Sequence, residues 1–283
     1  MEIIKSKDKL REQLVDWRHA GEHIAIVPTM GNLHAGHISL VQIAREHAER
    51  VVVTLFVNPT QFGEGEDFDH YPRSLEKDVK RLEKAAADVL FAPDVTTVYP
   101  FGIDNATLIA VQGLTEKFCG SFRPGHFDGV TTVVARLFAL VQPDVAVFGQ
   151  KDYQQQLVIR RMTEDLSLPI DILSGPTVRE VDGLAMSSRN TYLTEVERNV
   201  APSLYRILET AGDELRNGDR NFDDMEQTAH AALIHAGFQP EYVAIRQALD
   251  LSVPSQDCND FVVLAAVHLG GTRLIDNVLV SSV

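Results

Sequence analysis

His34 and His37 stand three residues apart in the segment Pro28-Thr-Met-Gly-Asn-Leu-His-Ala-Gly-His37. At a helix start that spacing turns both imidazoles to one side. A helix N-terminus also offers unpaired N–H groups and positive dipole character, a ready seat for phosphate. Two rings there could hydrogen-bond a polyphosphate and stabilise charge that develops during attack on phosphorus. Gly36 would let a ligand approach the backbone. A solvated histidine pair and a metal site are the alternatives; zinc would need more ligands than this segment supplies.

Three further segments carry usable chemistry. Phe56-Val-Asn-Pro-Thr-Gln-Phe62 offers Asn58 and Gln61, uncharged groups that both donate and accept and so suit a polyol or hydroxy acid. Asn-Pro is equally common in plain turns. Phe148-Gly-Gln-Lys-Asp-Tyr-Gln-Gln-Gln156 offers Lys151 as a mobile cation for phosphate and Asp152 for a ribose hydroxyl or an ordinary helix cap. Met186-Ser-Ser-Arg-Asn190 sets two hydroxyls beside Arg189, either a compact anion site or a polar linker. The GxxxxGK, GxGxxG and GxSxG patterns do not occur, which disfavours P-loop ATPases, ordinary dinucleotide dehydrogenases and α/β-hydrolases.

These loops need elements to hold them. Ile24-Ala-Ile-Val27 reads as a short apolar strand ending at Pro28, and His37 to Ala48 as a helix. Val51 to Val57 is a continuous β-branched run, as expected of a parallel strand buried on both faces. A charged helix is expected from about Ser74 to Ala87, then strands at Val89–Ala92 and Thr107–Val111. Gly113 to Gly129 reads as a loop that could move, and Val130 to Val141 as an apolar helix. A strand at Val145–Phe148, a helix at Tyr153–Leu166 and a strand at Ile170–Leu173 continue the alternation. That order predicts βαβ units and a Rossmann-like, doubly wound parallel sheet, with ligands beyond the carboxyl ends of its strands.

The pattern changes after about Arg179. Thr194-Glu-Val-Glu197 is a capping box opening a helical run to about Arg216, with Pro202 either kinking it or marking its true start. A helix at Asp223–Ala236 follows, then strands near Tyr242–Ile245, Phe261–Val267 and Arg273–Ile275. A smaller α+β domain is expected, which divides the chain into residues 1–178 and 179–283.

The chain has 283 residues, 45% of them hydrophobic, which is ample for a buried core. Its 26 basic and 40 acidic residues give a formal charge of −14, against a nucleic-acid partner. The phosphate-handling site must then be a local positive exception. Cys119 and Cys258 are too few for a disulfide framework and agree with a reducing, cytoplasmic setting. The N-terminus has no signal-like apolar run, and no stretch approaches the roughly 20 apolar residues of a bilayer span. The sequon at Asn105-Ala-Thr107 has no meaning in that setting.

Taken in order, the Pro28–His37, Phe56–Phe62, Arg123–Phe127, Phe148–Asp152 and Met186–Asn190 blocks resemble the pantoate–β-alanine ligases (pantothenate synthetases). These form a branch of the HIGH-motif nucleotidylyltransferase superfamily. HIGH alone indicates only the superfamily; five ordered blocks over essentially the whole chain are far more specific. The resemblance implies an enzyme of pantothenate and coenzyme A biosynthesis that joins (R)-pantoate to β-alanine with ATP, releasing AMP and pyrophosphate. It also implies a Mg²⁺ requirement, a homodimer and no membrane partner. It assigns ATP contacts to Met30, Gly31, Asn32, Leu33, His34, Ala35, Gly36, His37, Gly149, Gln150, Lys151, Asp152 and Val178. Met186, Ser187, Ser188 and Arg189 are expected to close over the nucleotide as part of a C-terminal lid. His37, His34, Lys151 and Arg189 carry the catalytic roles. Pantoate falls to Gln61, Gln155 and Asn58, β-alanine to Gln61, and a place near Mg²⁺ to Asp78. The Arg123–Phe127 block receives no chemical role.

The expected chemistry has two halves. Pantoate's carboxylate attacks the α-phosphorus of ATP, and the β-alanine amine then attacks the acyl adenylate. Three other classes compete. A nucleotidyl transferase would need no amine. A tRNA-synthetase relative would need a basic RNA-binding module. A non-catalytic nucleotide sensor would have no use for the full His, Lys, Ser and Arg set.

Overall fold

A computed structural model describes residues 1–281, two fewer than the full chain. It divides into two compact units. One comprises Met1–Gln150 and Val158–Pro176; the other comprises Lys151–Leu157 and the chain from Thr177 onward.

In the first unit the elements run β1 (Glu2–Ile4), α1 (Lys7–His19), β2 (Ile24–Thr29), α2 (Ala35–His47), β3 (Arg50–Leu55), α3 (Leu75–Lys84), β4 (Val89–Phe91), α4 (Val95–Val98), α5 (Cys119–Phe122), α6 (His126–Val141), β5 (Val145–Gly149), α7 (Tyr153–Asp165) and β6 (Asp171–Gly175). The first turn of α7 goes with the other unit. The six strands form one parallel sheet in the order β1-β4-β3-β2-β5-β6. Ile24, Ala25, Ile26, Val27, Val51, Val52 and Val53 are fully buried. Side chains alternate across a strand, so such an unbroken apolar run needs cover on both faces. One face has it from Leu10, Leu14, Leu137 and Phe138, the other from Leu33, Leu40, Val41 and Leu82. The doubly wound α/β fold expected from the alternation is present.

Sequence order reverses between β2 and β5, the fourth and fifth strands of the sheet. Chain from β2 proceeds through β3 to β4 on one side, where β1 adds the edge, and chain from β5 proceeds to β6 on the other. That switch point is where an open α/β sheet parts its loops and leaves a crevice at the carboxyl ends.

Four local expectations need correction. Pro28 does not end its strand; β2 continues to Thr29, with Pro28 opposite Thr54 in β3. The ladder with β5 stops at Ile26, so the missing proline N–H costs the sheet nothing on that side. Residues 107–111 form no strand: Ile109 N–H donates to the Thr132 hydroxyl, and the Thr131 hydroxyl donates to the Ile109 carbonyl. Helix hydroxyls thus satisfy backbone that the sequence pattern assigns to a ladder. The expected loop Gly113–Gly129 contains α5, and α6 begins at His126, four residues early. The helical run from Thr194 is two helices in the second unit, α8 (Glu195–Val200) and α9 (Ser203–Arg216), with Pro202 capping α9.

The second unit continues with α10 (Phe222–His235), β7 (Gln239–Gln247), β8 (Asp260–Leu269) and β9 (Thr272–Ser281). Its three strands are antiparallel in sequence order. Leu204, Leu208, Leu215, Met225 and Leu233 from the helices pack on Phe261, Val263, Ala265 and Val267 from the sheet. This is the smaller α+β domain expected from the sequence.

Candidate active site

The signature loop leaves β2 under tight control. Thr29 donates its hydroxyl to the Thr54 carbonyl at 2.7 Å. Gly31 has φ +83°, in the left-handed region, and a Cβ there would lie 3.2 Å from Leu55 Cγ and 3.4 Å from Asp78 Oδ2. Both conformation and space call for glycine. Asn32 also lies in the left-handed region, at φ +49°.

Asp78 of α3 holds the loop from beneath. Its side chain is fully buried. Oδ2 accepts the Asn32 N–H at 2.9 Å and the Ser74 hydroxyl at 3.2 Å, and Oδ1 accepts the Leu33 N–H at 2.8 Å. Its oxygens are thus engaged by loop donors, which does not fit the expectation that Asp78 faces Mg²⁺. Among the described residues, no group of three His, Cys, Asp or Glu could hold a metal ion.

At the N-terminus of α2 the two histidines cap the helix and each other. His34 is the N-cap, and its Nδ1 accepts the Gly36 N–H at 3.2 Å. Nδ1 of His37 accepts the His34 N–H at 3.2 Å. This is a capping box with imidazoles in place of the usual hydroxyl and carboxylate. The rings lie 4.1 Å apart and tilted by 46°. A nitrogen that accepts from a backbone N–H carries no hydrogen, so each neutral ring bears its proton on Nε2. The helix start therefore fixes both tautomers as Nε2–H donors.

After β3 the chain makes a 3₁₀ turn, Pro59–Gln61, against α6. Asn58 stands beneath it, 1% exposed. Its Oδ1 accepts the Tyr99 hydroxyl at 2.8 Å and the Thr60 hydroxyl at 3.1 Å. Its Nδ2 donates to the Gly129 carbonyl at 3.0 Å and to Gln61 Oε1 at 3.2 Å. Burial raises the Tyr99 hydroxyl above its ordinary range, so it stays a donor. The expected direct contact of Asn58 with pantoate does not fit a buried amide committed to protein partners. Instead Asn58 orients Gln61, whose Nε2 lies 3.2 Å from the Met30 sulfur. Gln61 thus presents its amide N–H groups on the side opposite Asn58.

The Arg123–Phe127 block closes on the same turn. Arg123 forks onto Glu66 at 2.7 and 2.5 Å. Arg123 Nη1 meets His126 Nε2 at 2.9 Å, and His126 Nδ1 meets the Gln61 carbonyl at 2.7 Å. Burial raises the Glu66 carboxyl, but the Arg123 hydrogen bond and charge outweigh it and hold the group below its usual range.

Lys151 and Asp152 lie on the 3₁₀ turn Gln150–Asp152 that follows Gly149, and Gln155 lies in the first turn of α7. The Lys151 carbonyl accepts Asn277 Nδ2 at 3.0 Å, and the Tyr153 hydroxyl donates to the Ala248 carbonyl at 2.6 Å. Val178 and the Met186–Arg189 segment come together through a hairpin. Arg179 pairs with Ala185, and Met186 N–H donates to the Val178 carbonyl at 3.0 Å. Ser187 caps the turn Ser188–Tyr192 by accepting the Arg189 N–H at 3.3 Å. Asp276 anchors the hairpin through Arg179 at 2.6 and 2.9 Å, and Arg179 lies 3.5 Å over the Tyr205 ring.

Sequence reasoning missed Glu66, Tyr99, His126 as an individual, Asp276 and Asn277. Their partners lie 41 to 126 positions away, as in the pairs Asn58–Tyr99, Gln61–His126 and Lys151–Asn277. Short spacing could not expose them.

Comparison with known proteins gives a consistent result. A family model described as pantoate-beta-alanine ligase matches residues 2–279. A pantothenate synthetase from Ectopseudomonas mendocina (strain ymp) is 51% identical over 280 residues, covering 99% of this chain and 98% of the relative. One from Methylococcus capsulatus (strain ATCC 33009 / NCIMB 11132 / Bath) is 51% identical over 281 residues, with the same coverage. The crystal structure of pantothenate synthetase from Thermus thermophilus has TM-score 0.92 and 45% identity, covering 98% of this chain and 99% of that one. That of pantoate-beta-alanine ligase from Francisella tularensis, complexed with beta-gamma ATP and beta-alanine, has TM-score 0.79 and 32% identity, covering 99% and 97%.

Proposed function

The chain belongs to the pantoate–β-alanine ligase family, and from that premise we propose how its residues divide the reaction. The enzyme condenses pantoate with β-alanine at the expense of ATP, through a pantoyl adenylate, releasing AMP and pyrophosphate. A carboxylate is a poor acylating agent at neutral pH, so activation on phosphorus comes first.

In the first half-reaction a pantoate carboxylate oxygen attacks the α-phosphorus, and the bond to the pyrophosphate oxygen breaks. Positioning and charge stabilisation do most of the work in such transfers. His34 and His37 donate from Nε2 to phosphate oxygens at the positive end of α2. Met30 to Leu33, Ala35 and Gly36 line the approach with backbone groups. Lys151 and Arg189 supply cationic charge, with Gly149, Gln150, Asp152, Val178, Met186, Ser187 and Ser188 as further nucleotide contacts. Gln61 and Gln155 hold pantoate, Gln61 through its Nε2 hydrogens. In the second half-reaction the neutral β-alanine amine attacks the acyl carbon, loses a proton, and AMP leaves. No enzyme nucleophile is needed.

Enzymes that use ATP in this way generally need a divalent metal, and we propose Mg²⁺. Mg²⁺ keeps several waters and tolerates little distortion, and a fully buried, three-times hydrogen-bonded Asp78 leaves no room for that shell. The residues therefore do not fit a protein-held ion, and a divalent cation brought with ATP would supply charge neutralisation at the phosphates. The homodimer rests on the family resemblance, the cytoplasmic location on the few cysteines and the lack of a signal-like run, and the division at residues 178/179 on the change of pattern after about Arg179. The compact units part at Pro176/Thr177, with Lys151–Leu157 in the C-terminal one.

The observation that carries these assignments is the α2 capping box, in which Nδ1 of each histidine accepts a backbone N–H and leaves Nε2 to donate. ATP, pantoate and β-alanine together should yield AMP and pantothenate. Without β-alanine, turnover should stop and a bound adenylate should be visible by mass spectrometry. His37→Ala should slow pantoate-dependent ATP–pyrophosphate exchange by at least roughly a hundredfold, as expected for a lost preorganised donor. Exchange at the wild-type rate would remove His37 from the chemistry.

A further inference from the structure

The Arg123–Phe127 block has no role in the reaction as described, yet it sits on the residue assigned to both organic substrates. Nδ1 of His126 lies 2.7 Å from the Gln61 carbonyl, which can only accept, so Nδ1 carries the hydrogen. Nε2 of the same ring lies 2.9 Å from Arg123 Nη1, which can only donate, so Nε2 is the bare acceptor. His126 is therefore neutral and in the opposite tautomer to His34 and His37. Arg123 Nη2 reaches the same Gln61 carbonyl at 3.3 Å. The guanidinium is itself fixed by its fork onto Glu66, a geometry that a planar Arg makes and a Lys cannot.

Gln61 is thus held at two points. His126 and Arg123 grip its main-chain carbonyl, and Asn58 grips its side-chain Oε1 at 3.2 Å. Fixing both ends leaves the carboxamide one orientation, with Oε1 turned inward and Nε2 outward, one of its hydrogens donated to the Met30 sulfur at 3.2 Å and the other facing away from Asn58. A carboxylate or hydroxyl substrate needs donors at that point, so the grip sets the sign of the contact as well as its place.

We propose that Arg123, Glu66 and His126 are positioning residues that act through Gln61 to set the donor end of the site for pantoate and β-alanine. The inference rests on Gln61 contacting those substrates. Its test is a double-mutant series on the full-length protein, with KM for each substrate measured separately. Gln61→Ala tests the underlying reading: if it leaves the pantoate and β-alanine KM values unchanged, that reading falls by itself.

If Gln61→Ala is impaired, His126→Ala should raise the pantoate KM about tenfold, the size of one lost hydrogen bond. ATP KM should stay within about twofold, because a general folding defect would move it too. His126→Asn should recover most of the loss, since an asparagine amide nitrogen falls near the position of Nδ1 and can donate to the same carbonyl. Adding His126→Ala to Gln61→Ala should cost nothing further. Spectra of ¹⁵N-histidine-labelled protein should show a protonated Nδ1 and a bare Nε2 for His126. An unaffected pantoate KM in His126→Ala, additive losses in the double variant, or a protonated Nε2 would each overturn the proposal.

Discussion

Asn58 donates an amide hydrogen to Oε1 of Gln61 at 3.2 Å, and that one bond decides which end of Gln61 a substrate meets. Asn58→Asp keeps the shape but replaces the donor with an acceptor. Gln61 should then turn its amide nitrogen inward and offer Oε1 to the pantoate carboxylate, a repulsive pairing. The buried Gly129 carbonyl would also face a carboxylate. Pantoate KM should rise at least about tenfold, as expected for the loss of a hydrogen bond to a charged group, with ATP KM little changed. Steady-state kinetics with each substrate varied in turn checks this. An unchanged pantoate KM would mean that Gln61 is oriented by something else.

Gly129 offers a test of sign. Glycine inside a helix is normally worth replacing, with alanine gaining up to about 1 kcal/mol. Here a Cβ would lie 2.3 Å from the Thr60 carbonyl oxygen, a backbone atom that moves only if the Pro59–Gln61 turn moves. The clash should outweigh the propensity, so Gly129→Ala should be destabilised by about 1–3 kcal/mol, the usual size of core overpacking. Urea unfolding gives the answer, and a gain in stability would contradict the packing described.

Asp78→Asn separates loop support from metal binding. The carboxylate accepts from two backbone N–H groups and a hydroxyl. An amide cannot accept at both ends, so one loop N–H loses its partner at a cost of about 1–3 kcal/mol. Thermal unfolding should show that loss. The Mg²⁺ concentration giving half-maximal activity should stay near that of the parent enzyme. A large rise in the Mg²⁺ requirement at unchanged stability would return Asp78 to the metal.

Acid should loosen the Arg123 grip in a defined direction. Glu66 has its folded-state carboxyl held below the ordinary range, chiefly by the Arg123 hydrogen bond working against burial. The stability it contributes is therefore present above the unfolded carboxyl value of about 4.3 and is lost as pH falls through the lower folded value. Glu66→Gln should flatten that part of the stability-versus-pH curve and leave the slope above pH 6 alone. Denaturant midpoints measured between pH 3 and 7 would show an unchanged acid limb if the pair were inert.

Asn277 should matter to Lys151 although it bears no charge. Its amide holds the Lys151 carbonyl at 3.0 Å from β9. Asn277→Ala should reduce ATP–pyrophosphate exchange by about tenfold, in line with one buried hydrogen bond. In a Lys151→Ala background it should add little. Full additivity would show that it acts elsewhere.

The sheet was legible because a run such as Val51-Val-Val-Thr-Leu can be buried only between two layers. The signature loop was legible because its chemistry lies within ten residues. What the sequence hid is long-range. Ile109 reads as strand, but helix hydroxyls satisfy its backbone. Gly129 reads as loop, but it is glycine in a helix because Thr60 presses on it. Asn58 reads as a ligand by type and Asp78 by resemblance, and only burial reveals that they serve other residues. Residue type announces what a side chain can do; packing decides to whom it does it.

The meeting of β2 and β5 carries a consequence for how the enzyme comes into being. Their pairing, Ala25 with Val145 and Ile26 with Ala146, joins segments 120 residues apart. Contacts of such separation carry a large loop-closure cost and slow the reactions that depend on them. Neither part of the sheet, formed alone, has the crevice between β2 and β5. A newly made chain can therefore own its capping histidines well before it owns a place to use them, and catalytic competence comes with the seam between β2 and β5.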